Sequence, residues 1–490
     1  MESFVTSVAL IGIVIVVASL LSGAIERTGF PLVAIFLLIG VAIGPWGFGI
    51  ADVGFHSPAL HALAMLGLAL LLFSDAVTLD TKQLRPRKRM LWRLLVPGTL
   101  VPATITALSA WVLLGFSWPA AAIVGAALAS TDPVLLRTVL RSKALPDAPR
   151  IALRLETGMN DVVLLPIVIL SMLLLPGGHA EVSTSVTTGA GVGRSVLGLF
   201  VLGPALGALV GWVGISALAW IRSRAGVRRD YESLYALGLA FTSFSVAEAV
   251  GGSGFVAAFV AGLVVAAKDV ELCDCFLEYG EATSEMLLLL TFVALGMTLI
   301  WIGLGSLDWR IVLFAVIALI ARPAALYPML AGLNLDMRDR RLIAVFGPRG
   351  LSSLLLALLP VFAGIPNAEQ IFTVTSVVVL LSVVVHGGGT AFYLRRRGLL
   401  GSATPPQVVG PLSRPAAAIE AAPERITIDE MRALQAKGEP VVIVDARSNR
   451  TYDGDPLAAT GSVRVNPDDP VRDATEKRLS QRATLVVYCA

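Results

Sequence analysis

The chain has 490 residues, 56% of them hydrophobic and only 15% charged, with a mean hydropathy of +0.79. Soluble proteins carry about 25% charged residues, so lipid is the solvent for most of this chain. The formal net charge of +3, with Lys and Arg gathered in short loops, excludes a nucleic-acid surface and reports membrane topology instead.

The first apolar run, Phe4 to Leu21, has no basic segment before it and no clear cleavage site, so it is expected to be a retained span and not a signal peptide. A span needs about 20 apolar residues, and such runs recur as far as Leu394, about thirteen in all. Their centres fall near Val14, Phe36, Leu66, Pro102, Val124, Leu165, Gly207, Leu239, Phe259, Phe292, Val316, Leu354 and Val378. The stretch from Arg194 to Trp220 reads either as one tilted helix or as a helix with an interfacial end. Loops rich in Arg and Lys (82–93, 137–150, 222–229, 338–341 and 395–397) alternate with loops that hold almost none. Thirteen spans place every basic loop on one side. The positive-inside rule makes that side the cytoplasm, with the N-terminus outside and the tail inside the cell membrane.

Residues 1–397 therefore form the membrane domain, and 398–425, rich in Pro, Ala, Gly and Ser, a linker. Residues 426–490 look soluble: a helix Ile428 to Ala436, a buried strand Val441 to Val444, a polar turn-rich stretch and a second strand Thr484 to Tyr488. The cysteines, Cys273, Cys275 and Cys489, build no disulfide framework, and no second pair completes a zinc site. No cofactor is expected.

Charges inside a span are costly, so the few present are candidates for function. They are Asp132, Glu156, Asp161, Arg322 and Arg349, with Asp75 and Glu248 nearer span ends, where an interfacial carboxylate is the plainer reading. In Ser130-Thr131-Asp132-Pro133, the proline frees the Ala129 carbonyl and pushes Asp132 out of helical geometry. A break of this kind offers carbonyls, a hydroxyl and a carboxylate to a hard cation such as Na⁺. In the next span, Thr157 and Asp161 share one helix face and Glu156 and Asn160 another. The first face adds a hydroxyl and a carboxylate to the cation site. The second carboxylate needs a positive partner, for which Arg322 is the better candidate and Arg349 the other. Gly347-Pro348-Arg349-Gly350 is a second helix breaker, and a broken helix in each half is the pattern of inverted-repeat transporters. Arg349 then opposes the C-terminal carbonyls of a half-helix. Gly251-Gly252-Ser253-Gly254-Phe255 and Gly262 read as close helix packing through small residues.

At these residues, over roughly 5 to 395, the sequence resembles the cation:proton antiporter 1 family of sodium/proton exchangers. The resemblance rests on Thr131-Asp132-Pro133, Glu156 with Asn160-Asp161, the glycine-rich Gly251 to Phe255, Arg322-Pro323 and Gly347 to Gly350. It implies an all-α polytopic fold of thirteen helices in inverted repeats, with broken helices, a dimerisation domain and a mobile core, and a homodimer as the working unit. It also implies that Asp161 is the essential carboxylate assisted by Asp132 and Thr131, that Glu156 pairs with Arg322, and that exchange is electroneutral because Asn160 stands where electrogenic relatives have a second Asp. Thr157 stands where the family often has Ser, which leaves open the choice among Na⁺, Li⁺ and K⁺.

The tail resembles the start of a rhodanese domain, an α/β fold, through Val441 to Arg447 and Val486 to Cys489. In that family the cysteine carries a persulfide within a cradle of backbone N–H groups. The chain stops at Ala490, so an active sulfurtransferase is not expected. The expected function is exchange of Na⁺ or Li⁺ for protons, with K⁺/proton exchange and a membrane-tethered sulfur sensor as alternatives.

Overall fold

The computed structural model describes residues 32–50, 57–79, 88–132, 145–176, 191–225, 229–268, 289–297, 308–333, 335–387, 440–447, 457–465, 470–477 and 483–488, with isolated positions between them. Two units separate, the larger spanning 1–268 and 275–402 and the smaller 269–274 and 403–490.

The large unit is helical. Its elements are α1 Leu32–Ile43, α2 Pro58–Thr78, α3 Lys88–Leu95, α4 Pro97–Leu114, α5 Trp118–Ala129, α6 Asp147–Leu173, α7 Gly191–Leu197, α8 Gly203–Ala225, α9 Arg229–Ala249, α10 Gly254–Lys268, α11 Trp309–Met329, α12 Met337–Val345, α13 Leu351–Phe362 and α14 Ala368–Ser382. Residues 289–297 are helical as well. Every expected span centre from Phe36 to Val378 lies in a helix. The one near Val14 lies outside the described residues. Among the described residues, six helices are long and apolar enough to cross a membrane, and α5, α10 and α13 are shorter apolar helices.

Local chemistry sets the helix ends. Proline opens α2 and α4, where its missing N–H costs nothing, and the Asp308 carboxylate caps α11 by accepting from the Trp309 N–H at 2.7 Å. The Glu248 carboxylate accepts from the Gly254 N–H at 2.7 Å and so caps α10. The stretch from Arg194 to Trp220 proves to be continuous, with α7 running through a π-turn, Gly198–Leu202, into α8.

Small residues set the helix spacing. A Cβ on Gly198 would strike the Gly251 carbonyl, one on Gly207 the backbone of Ala257, and one on Gly262 the Phe73 carbonyl. These contacts bring α8 and α2 against α10 at backbone distance, the close approach that drives helix association in lipid. Gly40 and Gly296 do the same between α1 and residues 289–297.

In the small unit, β1 Val441–Asp445 lies between β2 Val463–Arg464 and β3 Thr484–Tyr488, all parallel. Parallel strands need crossovers, and α15 Pro470–Glu476 provides the one between β2 and β3. The stretch read as merely polar and turn-rich therefore holds a strand and a helix, both too short to leave a periodic pattern. Of the expected helix Ile428 to Ala436, positions 431, 432, 434 and 435 are helical and the rest lie outside the described residues. Arg447 donates to both Asp445 oxygens, at 3.0 and 2.7 Å, and these bonds hold the buried carboxyl down to about 2.

Candidate cation and proton site

Two helices stop inside the large unit and face each other. α5 ends at Ala129, and Ser130 is already extended (φ −62°, ψ 138°), as expected just upstream of a proline. Pro133 itself lies outside the described residues. The second break separates α12 from α13, with residues 346–350 non-helical between them. α5 and α13 each have 12 residues, about 18 Å at 1.5 Å per residue, little more than half of a hydrocarbon layer of about 30 Å. Each is about half a span in length.

The two breaks satisfy one another. The Asp132 N–H donates to the Pro348 carbonyl at 3.0 Å, so the two extended segments run side by side. Arg349 Nη1 donates to the Ala129 and Ser130 carbonyls at 2.9 and 3.1 Å, placing a buried positive charge at the C-terminal end of α5. In return Asp132 Oδ2 accepts from the Leu351 N–H at 2.6 Å and caps the N-terminal end of α13. The N-cap residue there, Gly350, has no side chain with which to cap, and a Cβ on it would collide with the Asp132 carboxylate. The Arg349 N–H is in turn held by Ser382 Oγ at 2.8 Å, on α14.

α6 lies against this crossing. Asp161 is buried, and its Oδ1 accepts from Ser130 Oγ at 2.5 Å. Asn160 Nδ2 donates to Thr131 Oγ1 at 2.8 Å, while Asn160 Oδ1 is buried without a hydrogen-bond partner. Thr157 Oγ1 donates to the Leu153 carbonyl at 2.9 Å, the usual bond of a helical threonine to its own preceding turn. One turn lower, Glu156 receives Arg322 in a two-pronged pair, Nε to Oε1 at 3.0 Å and Nη2 to Oε2 at 2.7 Å. The third prong, Nη1, donates to the Ala344 carbonyl at 2.7 Å, at the last turn of α12.

Asp132, Thr131, Asn160, Asp161 and Arg349 thus meet at one crossing, and Glu156 with Arg322 forms a separate buried pair. One expectation changes. The Ala129 carbonyl, expected to face the cation, is occupied by Arg349, because a fixed guanidinium nearby satisfies the freed group. Asp132, expected to assist Asp161 at the cation site, has one oxygen committed to the backbone of α13. Thr157 keeps only its lone pairs for a ligand. Cys489 lies outside the described residues.

Sequence reasoning missed Ser130 as a partner of Asp161, and Ser352 and Ser353 on α13. Ser353 Oγ donates to the Ser130 carbonyl at 3.4 Å, and the Ser352 hydroxyl lies beside the Asp161 carboxylate. Serines in an apolar run look like packing residues. The signal that marks these is their place next to the breaker Gly347 to Gly350. Asp75, at the end of α2, is buried with its backbone carbonyl against Gly158 of α6. No cluster of three or more His, Cys, Asp or Glu able to hold a metal exists among the described residues.

The family described as "Sodium/hydrogen exchanger, transmembrane" matches residues 13–396. The chain is 25% identical over 391 residues to the K(+)/H(+) antiporter NhaP of Alkalimonas amylolytica, covering 79% of this chain and 66% of that protein. It is 26% identical over 393 residues to the K(+)/H(+) antiporter NhaP2 of Shewanella sp. (strain ANA-3), covering 78% and 66%. The chain thus spans just under two thirds of the length of these curated relatives. Its fold is similar to that of the sodium proton antiporter MjNhaP1 from Methanocaldococcus jannaschii, with a TM-score of 0.63 at 22% identity, covering 82% of this chain and 100% of that one.

Proposed function

The chain belongs to the sodium/hydrogen exchanger family, and from that premise we propose that it is a secondary transporter, not an enzyme, that exchanges Na⁺ or Li⁺ for protons at Asp161. One observation carries this reading. Asp161 is a buried carboxylate set against two mutually capped helix breaks, with the Ser130 hydroxyl bonded to it. Such a group holds a proton or a cation but not both, because each neutralises the same charge. A site that alternates between the two faces while obeying that rule exchanges one for the other.

The remaining parts support this competition. Arg349 neutralises the carbonyls of the first break and Asp132 the N–H groups of the second, so Asp161 is left as the carboxylate free to change partners. Glu156 and Arg322 join α6 to α11 with no net charge. Asn160 adds no second titrating group beside Asp161, which fits electroneutral exchange. We take the working form to be a homodimer in the cell membrane, with the N-terminus outside and the tail in the cytoplasm. The parallel strands β1 and β3 fit a rhodanese-like origin for that tail. Exchange does not require it.

A second reading, K⁺ in place of Na⁺, is favoured by the names of the two relatives above. Everted vesicles with a pH-sensitive dye separate the two. Under the sodium reading NaCl and LiCl dissipate an imposed proton gradient between about pH 6 and 9, where carboxylate and cation compete. If KCl alone does so, the sodium reading fails and the potassium reading stands.

A further inference from the structure

The first turn of α13 presents three successive residues to the crossing. The Leu351 N–H donates to Asp132 Oδ2 at 2.6 Å, and Ser353 Oγ donates to the Ser130 carbonyl at 3.4 Å. Between them, the Ser352 hydroxyl is buried beside the Asp161 carboxylate. It makes no hydrogen bond of full geometry to any described residue, and the Asp161 carboxylate is a polar group within its reach. Its two neighbours are both bonded, so the turn is fixed and the hydroxyl is held where it stands. A buried polar group without a well-formed hydrogen bond is costly and calls for an explanation. An unpaired oxygen, Asn160 Oδ1, is buried next to Asp161 in sequence.

We propose that Ser352 is a ligand of the transported monovalent cation, its hydroxyl oxygen binding the ion together with the Asp161 carboxylate and so contributing to the choice among Li⁺, Na⁺ and K⁺. The proposal rests on the reading that Asp161 is the exchanging carboxylate. Hard cations bind through several oxygens, and a lone carboxylate leaves most of their hydration shell unreplaced. A hydroxyl suits both states of the site, since it is donor and acceptor at once. With Asp161 protonated, Ser352 accepts a hydrogen bond from the carboxyl. With the cation bound, its lone pair faces the ion. The bonds at Leu351 and Ser353 hold the oxygen at a set position, and a rigid ligand set distinguishes ions by radius where a mobile one does not.

The test uses the purified full chain carrying Ser352→Ala, reconstituted in liposomes, with LiCl, NaCl and KCl as probes. In the absence of these salts its melting temperature should equal or exceed that of the parent, because the substitution removes a buried hydroxyl that makes no hydrogen bond of full geometry. The KM for the preferred cation should rise about tenfold with Vmax little changed, as expected for loss of a binding contact. The rise in melting temperature that the cation brings to the parent should shrink in step. Unchanged KM for all three cations with the thermal rise intact would overturn the proposal. So would a variant that melts lower than the parent or fails to fold, since Ser352 would then be a packing residue. Asp161→Asn measured alongside separates the two levels: full exchange in that variant removes the underlying reading, whereas its silence with a parent-like Ser352→Ala removes only the role of Ser352.

Discussion

Replacing Glu156 by Gln should destabilise the helical unit more than any surface change, because it strands a buried guanidinium. Arg322 makes two bonds to the Glu156 carboxylate, at 3.0 and 2.7 Å, and both side chains are nearly inaccessible, at 3% and 4% exposure. In Glu156→Gln the size is kept but the compensating charge is lost. Breaking a buried pair by removing one partner costs about 3–5 kcal/mol, chiefly the penalty of the charge left behind. At about 2 °C per kcal/mol for a large domain, the melting temperature in detergent should fall by roughly 5–10 °C. Arg322→Met should cost at least as much, since it also orphans the Ala344 carbonyl. The double variant, Glu156→Leu with Arg322→Met, should recover most of the loss, because apolar replacement of a whole buried pair is often neutral. A Glu156→Gln melting temperature within 1 °C of the parent, or a double variant worse than the two single losses added, would refute the reasoning.

Two further outcomes follow from the same geometry. Gly350→Ala puts a methyl group into the Asp132 carboxylate and should cost about 1–3 kcal/mol while slowing exchange, readable as a lower melting temperature and a lower Vmax. In the tail, the bonds from Arg447 hold the Asp445 carboxyl at about 2, below the ordinary aspartate value of about 3.9. The stability that this pair contributes is therefore complete above pH 4 and is lost as the pH falls toward 2. Pepsin cleavage between residues 441 and 488 should rise across that window, and in Asp445→Asn it should already be high at its upper end.

Much of the site is legible in the sequence because prolines, glycines and charges are costly inside lipid. Pro133 and Gly347 to Gly350 mark the two breaks, and Glu156 calls for a buried positive partner, for which Arg322 is the better candidate and Arg349 the other. The reciprocal capping is not legible. It joins Asp132 to Leu351 and Arg349 to Ala129 across more than 200 residues, and nothing local to either segment states that the two breaks cross. That crossing explains the one corrected expectation, the Ala129 carbonyl taken by Arg349, and also why one Asp132 oxygen is taken by α13. It also explains why Ser130 and Ser352, unremarkable in apolar runs, come to lie beside Asp161. In the tail, Val441 to Val444 and Thr484 to Tyr488 are evident as β-branched runs. The two-residue strand β2 and the seven-residue α15 are too short to show a period.

The central claim is that Asp161 carries the exchanged proton and cation in turn. Uptake of radioactive sodium into liposomes holding purified protein, driven by an outward proton gradient, tests it directly when the parent is compared with Asp161→Asn of equal melting temperature. The account predicts saturable uptake by the parent and, for the variant, uptake no greater than that of empty liposomes. Gradient-driven uptake by Asp161→Asn at the rate of the parent would contradict it.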